Sequence, residues 1–425
     1  MTAFLARLAG TGSDLIRPRG GPRPGEAVRS GPGRPLGQWG FAAIAVTSLG
    51  GPLALAALYA PDIAGGAASS AGLAMVIAAV AFGIPLWIWL DYARGGPGAP
   101  PLGPGGLYSF TEAAAGRRVA LVQGGLWVIS YTLYLMYTTA QIVYDTLPDV
   151  LPGERRYQSL LEIVIPVALA GVMIAGRRAA LAVIAVVAGG QLALAGVLAG
   201  LTTANLGTPA SSFGASAPAG SLATASGETA LLFICGSLPF FLGGEASGGP
   251  RGAFPVVRRG LAGACLVTVA VIIAAVAPLA AVSAFTHADI PGMAVAQAFA
   301  GRGLAVTIGI GVAVSVGGVM LVEYLALSRL VTAMTAWPLR RVLAGIGVII
   351  VAFAPVVLIS PDEIYDDLLT PSLSALWLSQ LIVFAVYPRF AARYGRKAVP
   401  AWVLAVAGTA FAIYGLWVTI HTSHS

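Results

Sequence analysis

Ser48-Leu49-Gly50-Gly51-Pro52 stands at the centre of one uncharged run, Phe41–Ala60. Cys235-Gly236-Ser237-Leu238-Pro239, followed by Gly243-Gly244-Glu245, interrupts a second, Thr229–Gly244. About 20 apolar residues are needed to carry a helix across the hydrocarbon core of a bilayer. Proline removes a backbone donor and clashes with the preceding turn, and glycine lowers the cost of unwinding. A membrane helix with both at its centre reads as two half-helices with a gap. The half after the gap presents free N–H groups and the positive end of its dipole, and the half before it presents free carbonyls. Pro52 and Pro239 suit the first position of those second halves.

The rest of the chain supports a membrane reading. Its 425 residues are 57% hydrophobic and only 10% charged, with a mean hydropathy of +0.86. Soluble domains carry about 25% charged residues. That gap excludes a soluble enzyme, a nucleic-acid binder and a disordered chain. Nine further runs join the two interrupted ones: Ala71–Leu90, Val119–Tyr144, Ile163–Gly176, Ala179–Leu201, Gly260–Ala284, Gly303–Val322, Val342–Ser360, Leu368–Pro388 and Val399–Ile420. Eleven helices are expected, since lipid leaves no partner for unpaired backbone groups and a barrel would show short alternating segments. The short fourth run puts Glu162 at its boundary, and Arg177-Arg178 makes a tight turn into the fifth.

Basic residues orient the spans. With the N-terminus inside, only Arg155, Arg156 and Arg302 fall on the outer side. Every other arginine and the single lysine, Lys397, fall inside, as the positive-inside rule requires. The net charge of +7 is therefore topology charge. Residues 1–37, rich in Gly, Pro and Arg, read as a disordered cytoplasmic arm. The organisation expected is this arm, a five-helix unit over 38–205, a second over 206–390, and a last helix with a short tail over 391–425. Five is odd, so the second unit enters the membrane inverted. Spans one and six then correspond, and paired interruptions in matching helices of inverted halves mark a transporter binding site. Prolines in other spans (Pro85, Pro166, Pro278, Pro355, Pro371) show that one proline alone carries little. Cys235 and Cys265 lie inside apolar runs and support neither a disulfide nor a zinc site. The histidines lie outside the long apolar runs, and no metal or cofactor is expected.

Several motifs carry a family resemblance. Phe240-Phe241-Leu242-Gly243-Gly244-Glu245 is similar to the F-x-G-x-E signature of helix six in the amino acid–polyamine–organocation (APC) permeases. Pro250-Arg251 and Pro255 resemble the loop that follows it. Gly105-Gly106-Leu107-Tyr108 resembles the family's G-G-x-Y before helix three, Gly125 to Tyr131 its helix-three motif, and Ser328-Arg329 through Met334 its S-R-x-x-x-A-M after helix eight. The resemblance implies an all-α, polytopic, five-plus-five inverted-repeat (LeuT-like) fold with helices one and six broken. It implies transport of amino acids, polyamines or related organic cations across the cytoplasmic membrane. On the matching positions, Thr47, Ser48, Gly50 and Gly51 would line the substrate site from helix one, Cys235, Gly236 and Ser237 from helix six, and Ser130 and Tyr131 from helix three. Two departures mark an altered pocket: helix one lacks the usual G-[ST]-G-[IV]-F, and Gly244 replaces a bulky residue before Glu245. Some proton-coupled members carry a lysine in helix five, where this chain has Gln191, which cannot exchange a proton.

Few carboxylates lie within the spans, where a charge is costly. Glu245 reads as a gate or proton-linked group, or as a structural hydrogen-bond acceptor for backbone, Ser or Tyr groups freed by the breaks. Glu323 reads as a proton-holding coupling group, or as an interfacial residue near the inner end of helix eight that reaches an inner arginine. In both cases the structural reading is the simpler. A rival reading rests on Asp362-Glu363 and Asp366-Asp367: clustered acids at a membrane boundary can hold magnesium and a diphosphate, as in intramembrane prenyltransferases. The cluster is single and falls on the outer face, so it reads as a solvated loop opening helix ten. A sensor that binds substrate without moving it is the other alternative. The partners expected are therefore a small amino acid or amine, protons and the lipid bilayer, with no nucleic acid.

Overall fold

The computed structural model describes residues 35–422 apart from 68–69, 96–97, 101, 104, 152–155, 208–209, 248 and 281. The arm expected over 1–37 lies outside the described residues as far as 34, as do residues 423–425 of the tail. Residues 35–37 do not behave as a free tail. Leu36 is buried, donates its N–H to the Glu245 carbonyl at 2.8 Å and accepts from the Ser247 N–H at 2.7 Å.

Among the described residues, eleven helices are long and apolar enough to cross a membrane: α1 Gln38–Gly65, α2 Ala71–Arg94, α3 Arg117–Val150, α4 Gln158–Ala175, α5 Arg177–Leu206, α6 Ala219–Glu245, α7 Gly252–Leu279, α8 Arg302–Thr335, α9 Leu339–Val357, α10 Pro361–Arg393 and α11 Ala398–His421. Their lengths repeat after five. The pairs α1/α6, α2/α7, α3/α8, α4/α9 and α5/α10 have 28/27, 24/28, 34/34, 18/19 and 30/33 residues. Packing repeats in the same way. α1 lies on α7 as α6 lies on α2, and α3 lies on α10 as α8 lies on α5. This is the all-α, five-plus-five inverted repeat, with α11 outside it.

Helix ends run beyond the uncharged stretches of sequence because charged end residues sit past the hydrocarbon. α8 continues to Thr335, so Glu323 lies twelve residues, about 18 Å at 1.5 Å per residue, short of its end and is not interfacial. α10 begins at Pro361, so Asp362, Glu363, Asp366 and Asp367 occupy its first turns and not a loop. Glu162 lies in the first turns of α4, as expected near its boundary, and is buried there by protein. Pro255, expected in a loop, lies inside the helix Gly249–Leu279.

Both interruptions are present. α1 winds as far as Ser48, then turns through Gly50 and Gly51 at φ 77° and 71°, and restarts with Pro52 as its first helical residue. These left-handed values are open to glycine and strained for other residues. Beyond the gap, Leu55–Tyr59 is π-helical. The α6 break differs from expectation. Its α-helix ends at Leu231, Leu232 and Phe233 form the turn, and Ile234–Glu245 is a 3-10 helix. Cys235-Gly236-Ser237 therefore open the second half, and Pro239 sits inside it. Pro239 has no N–H to give to the Cys235 carbonyl of an α-helix or to the Gly236 carbonyl of a 3-10 helix, so it interrupts the ladder inside this segment.

Irregular backbone at membrane depth is tolerated only where protein covers it. The two broken helices are accordingly the two most covered, with 78% and 72% of their apolar windows buried, against 28% for α4 and α11. A Cβ added to Gly51 would lie 2.4 Å from Ser315 Oγ of α8. Gly51→Ala is therefore expected to cost at least the 1–2 kcal/mol of a left-handed non-glycine residue. In thermal unfolding it should lower Tm by several degrees. Gly83→Ala in α2, where a Cβ meets nothing within 4 Å, should leave Tm unchanged. Equal Tm values for the two variants would contradict this geometry.

Candidate functional site

The two breaks touch. A Cβ on Gly50 would lie 3.0 Å from the Leu232 carbonyl oxygen, and one on Gly236 would lie 3.1 Å from Leu49 Cδ2 and 2.9 Å from Phe82 Cζ of α2. Among the described residues no backbone carbonyl accepts the N–H of Gly50 or Gly51. The expected lining residues divide around this contact into two polar clusters.

The first joins the halves through a neutral amide. Gln191 of α5 donates from Nε2 to Thr47 Oγ1 at 3.3 Å and accepts the Ser315 hydroxyl on Oε1 at 2.5 Å. Gly51 packs on the same serine. Thr47, Gly51 and Gln191 are thus brought together, with Ser315 added. Ser315 was legible only as a small polar residue in the uncharged run Gly303–Val322. Ser48 turns back instead to its own helix, donating to the Ala45 carbonyl at 2.9 Å.

The second cluster surrounds Glu323. Its carboxylate is 1% exposed, and Oε1 lies 3.8 Å from Cys235 Sγ, which donates to it. Oε2 has no hydrogen-bond partner among the described residues. Tyr131, Tyr134 and Tyr137 of α3 lie within electrostatic reach of it. Ser237 Oγ receives Gln380 Nε2 at 3.4 Å, and Trp89 Nε1 donates to Gln380 Oε1 at 3.3 Å. Trp127 stacks on Tyr131 at 6.0 Å and meets Phe241 edge-on at 4.7 Å. The expectation that Glu323 reaches an inner arginine is overturned, because helical burial keeps it at the α6 break. Tyr134 and Tyr137 were missed, although spacing of three from Tyr131 puts all three toward one side of α3. Ser130 is buried beside Tyr131, and its carbonyl accepts the Ser372 hydroxyl of α10 at 2.9 Å.

Glu245 lies apart from both, at the arginine-rich end. Oε1 accepts Arg329 Nε at 2.7 Å, and Oε2 meets Arg177 Nε at 2.7 Å. Its partners are guanidinium groups and not the backbone, Ser or Tyr groups expected, because α5 begins and α8 ends beside the end of α6. Arg177 and Arg329 thus do more than set topology.

Two cavities open at the opposite end. One, of about 480 Å³, is walled by Tyr59, Gln141, Asp145, Thr146, Asp149 and Asp289 with Leu58 and Ile290. The other, of about 210 Å³, takes in Asp145, Asp362, Tyr365 and Asp366. Residues Gln141–Thr146 of α3 are π-helical, like Leu55–Tyr59 across the larger cavity, and Gln141 Nε2 donates to Tyr59 Oη at 2.7 Å. Among the described residues no group of His, Cys, Asp and Glu could hold a metal ion.

No family model matches the sequence, and no curated protein does. Solved structures do match. The crystal structure of MhsT in complex with L-phenylalanine superposes with a TM-score of 0.56 at 15% identity, covering 92% of this chain and 99% of that one. The crystal structure of the Eremococcus coleocola manganese transporter, in complex with an aromatic bis-isothiourea substituted compound, superposes with a TM-score of 0.58 at 12% identity, covering 90% and 87%. At these identities the likeness establishes the fold alone: this chain is a multi-pass membrane protein of LeuT-like architecture.

Proposed function

We propose that the protein is a secondary transporter that moves amino acids or related amines across the cytoplasmic membrane by alternating access, with its N-terminus on the cytoplasmic side. The observation that carries this is the contact of two half-unwound helices, α1 and α6, in corresponding positions of inverted halves. Thr47, Gly50, Gly51, Tyr131, Cys235, Gly236 and Ser237 would line the substrate site, with Ser48 and Ser130 supporting its walls. Gln191 would hold α1 to α8 without carrying a proton. Glu323 is the buried carboxylate that would couple transport to a proton or take part in exchange. Glu245, held by Arg177 and Arg329, would gate the arginine-rich end, which the positive-inside rule assigns to the cytoplasm.

Reconstituted into liposomes loaded with unlabelled substrate, the protein should accumulate the same labelled compound by counterflow. Binding without counterflow would identify a sensor and overturn the transport reading. Glu245→Gln removes the charge common to two ion pairs and leaves Arg329, whose side chain is 8% exposed, without its partner. Breaking a buried pair in this way costs about 3 kcal/mol. The variant should melt several degrees lower, and in a Cys265→Ala background Cys235 should react with a maleimide severalfold faster. Arg178→Gln, at the exposed neighbouring arginine, should leave both unchanged. Unchanged melting and labelling in Glu245→Gln would remove the gate.

A further inference from the structure

We propose that Glu323 is the counter-ion for the substrate's ammonium group, and that the tyrosine-lined side of α3 is the substrate's route to it from the acidic end. The inference rests on the transporter reading and narrows its substrate to amines that lack a free carboxylate.

Glu323 supplies the carboxyl group of the cluster. Its neighbours across the α6 break and on α3 are a thiol, Cys235, and the phenols of Tyr131, Tyr134 and Tyr137. None of these balances a carboxylate, and one carboxylate oxygen has no partner among the described residues. The closest guanidinium along α8, that of Arg329, is bonded to Glu245. A buried carboxylate with a free oxygen, placed at a helix gap and within electrostatic reach of three tyrosines of α3, suits a cation. The ammonium can bond to Oε2 while π faces cover its flanks.

The route has the same character. At the acidic end Asp145 belongs to both cavities, with Asp149 and Asp289 on one side and Asp362 and Asp366 on the other. Asp145, Asp362 and Asp366 are exposed. Tyr365 stands in the smaller cavity and meets Tyr137 edge-on, with ring centroids 5.4 Å apart. Tyr137 meets Tyr134 edge-on, also at 5.4 Å. Tyr134 and Tyr131 then bring the series to Glu323. Acidic side chains at a cleft raise the local concentration of a cation, and each ring offers it a face.

A free substrate carboxylate would meet the backbone N–H groups of Gly50 and Gly51, which no backbone carbonyl accepts among the described residues, but no cationic side chain at the break. Beside Gly50, α6 presents the Leu232 carbonyl, an acceptor. The Gln191 amide is already engaged with Thr47 and Ser315. A zwitterion would therefore bring its anionic end to backbone N–H groups alone, beside a buried carboxyl group and a carbonyl oxygen, whereas an amine brings only the end that Glu323 suits.

The test compares amines with the amino acids that contain them: isobutylamine with L-valine, 2-phenylethylamine with L-phenylalanine, and putrescine with L-ornithine. Each is offered to the purified full chain in thermal-shift and binding assays, and to proteoliposomes in counterflow. At least one amine should raise Tm and bind at least tenfold more tightly than its amino acid. Glu323→Gln should weaken that binding tenfold or more. Asp145→Asn in the exposed mouth leaves the buried site intact, and should slow amine association severalfold at low salt with the difference lost at 1 M salt. That arm holds even if Glu323→Gln fails to fold. Amino acids binding in preference to every amine, no shift from any amine, or equal amine binding by folded Glu323→Gln would each overturn the proposal. Counterflow of amino acids without amines would do so while leaving the transport reading in place. Amine binding that depends on Glu323 without any counterflow would support the counter-ion and reject transport.

Discussion

A helix that comes unwound inside lipid leaves polar backbone groups that water cannot reach, and every other feature of this fold is arranged around that constraint. The chain meets it by setting one interruption against the other. Gly50 approaches the Leu232 carbonyl, and Leu49 fills the space beside Gly236. Each contact needs a residue without a side chain on one partner. Burial of α1 and α6 by the surrounding helices then follows, and so does the placing of Phe82, Ser315 and Glu323, which pack against the gap. Neither break would be stable alone, because neither would have its cover.

What the sequence disclosed about this arrangement depended on how local the cause was. Gly50-Gly51-Pro52 encodes its own geometry: two positive φ values and a first-position proline need no distant partner, and the break was legible to the residue. Pro239 was not. A proline in an apolar run fits the start of a half-helix or the interior of a tighter one, and contacts made by Ile234–Glu245 with α1, α7 and α8 selected the second. The repeat was legible because the breaks stand five spans apart and the arginines orient the two halves oppositely. The helix ends were not, because an uncharged run reports the hydrocarbon core and not the helix that passes through it. Glu245 shows the limit most directly. Its motif was visible, but its partners stand 68 residues before and 84 residues after it, and nothing local distinguishes Arg177 from Arg178. Tyr131, Tyr134 and Tyr137 are the opposite case, a side of one helix readable from spacing alone.

The charges also divide between the two ends. Among the described residues three ion pairs are found, Arg177–Glu245, Arg329–Glu245 and Arg396–Asp91, and all lie at the arginine-rich end. Arg396 and Arg393 add bonds there to the carbonyls of Gly95 and Ala113. These contacts join α5, α6 and α8, and separately tie α2 and the short helix Leu107–Ala115 to the end of α10 and the connection after it. The acidic end has no such pairs among the described residues. Its carboxylates repel one another, and the two cavities open between them. Ion pairs thus gather at one end, and the two cavities lie at the other, where like charges gather. In the proposed transport cycle, opening the arginine-rich end would require separating Glu245 from two guanidinium groups while the aspartates draw together. A cation entering the acidic mouth offsets the second cost by screening that repulsion. On the proposed reading, the same charge that would suit the buried carboxylate of Glu323 would favour closure behind it, so that recognition and gating would draw on one electrostatic asymmetry.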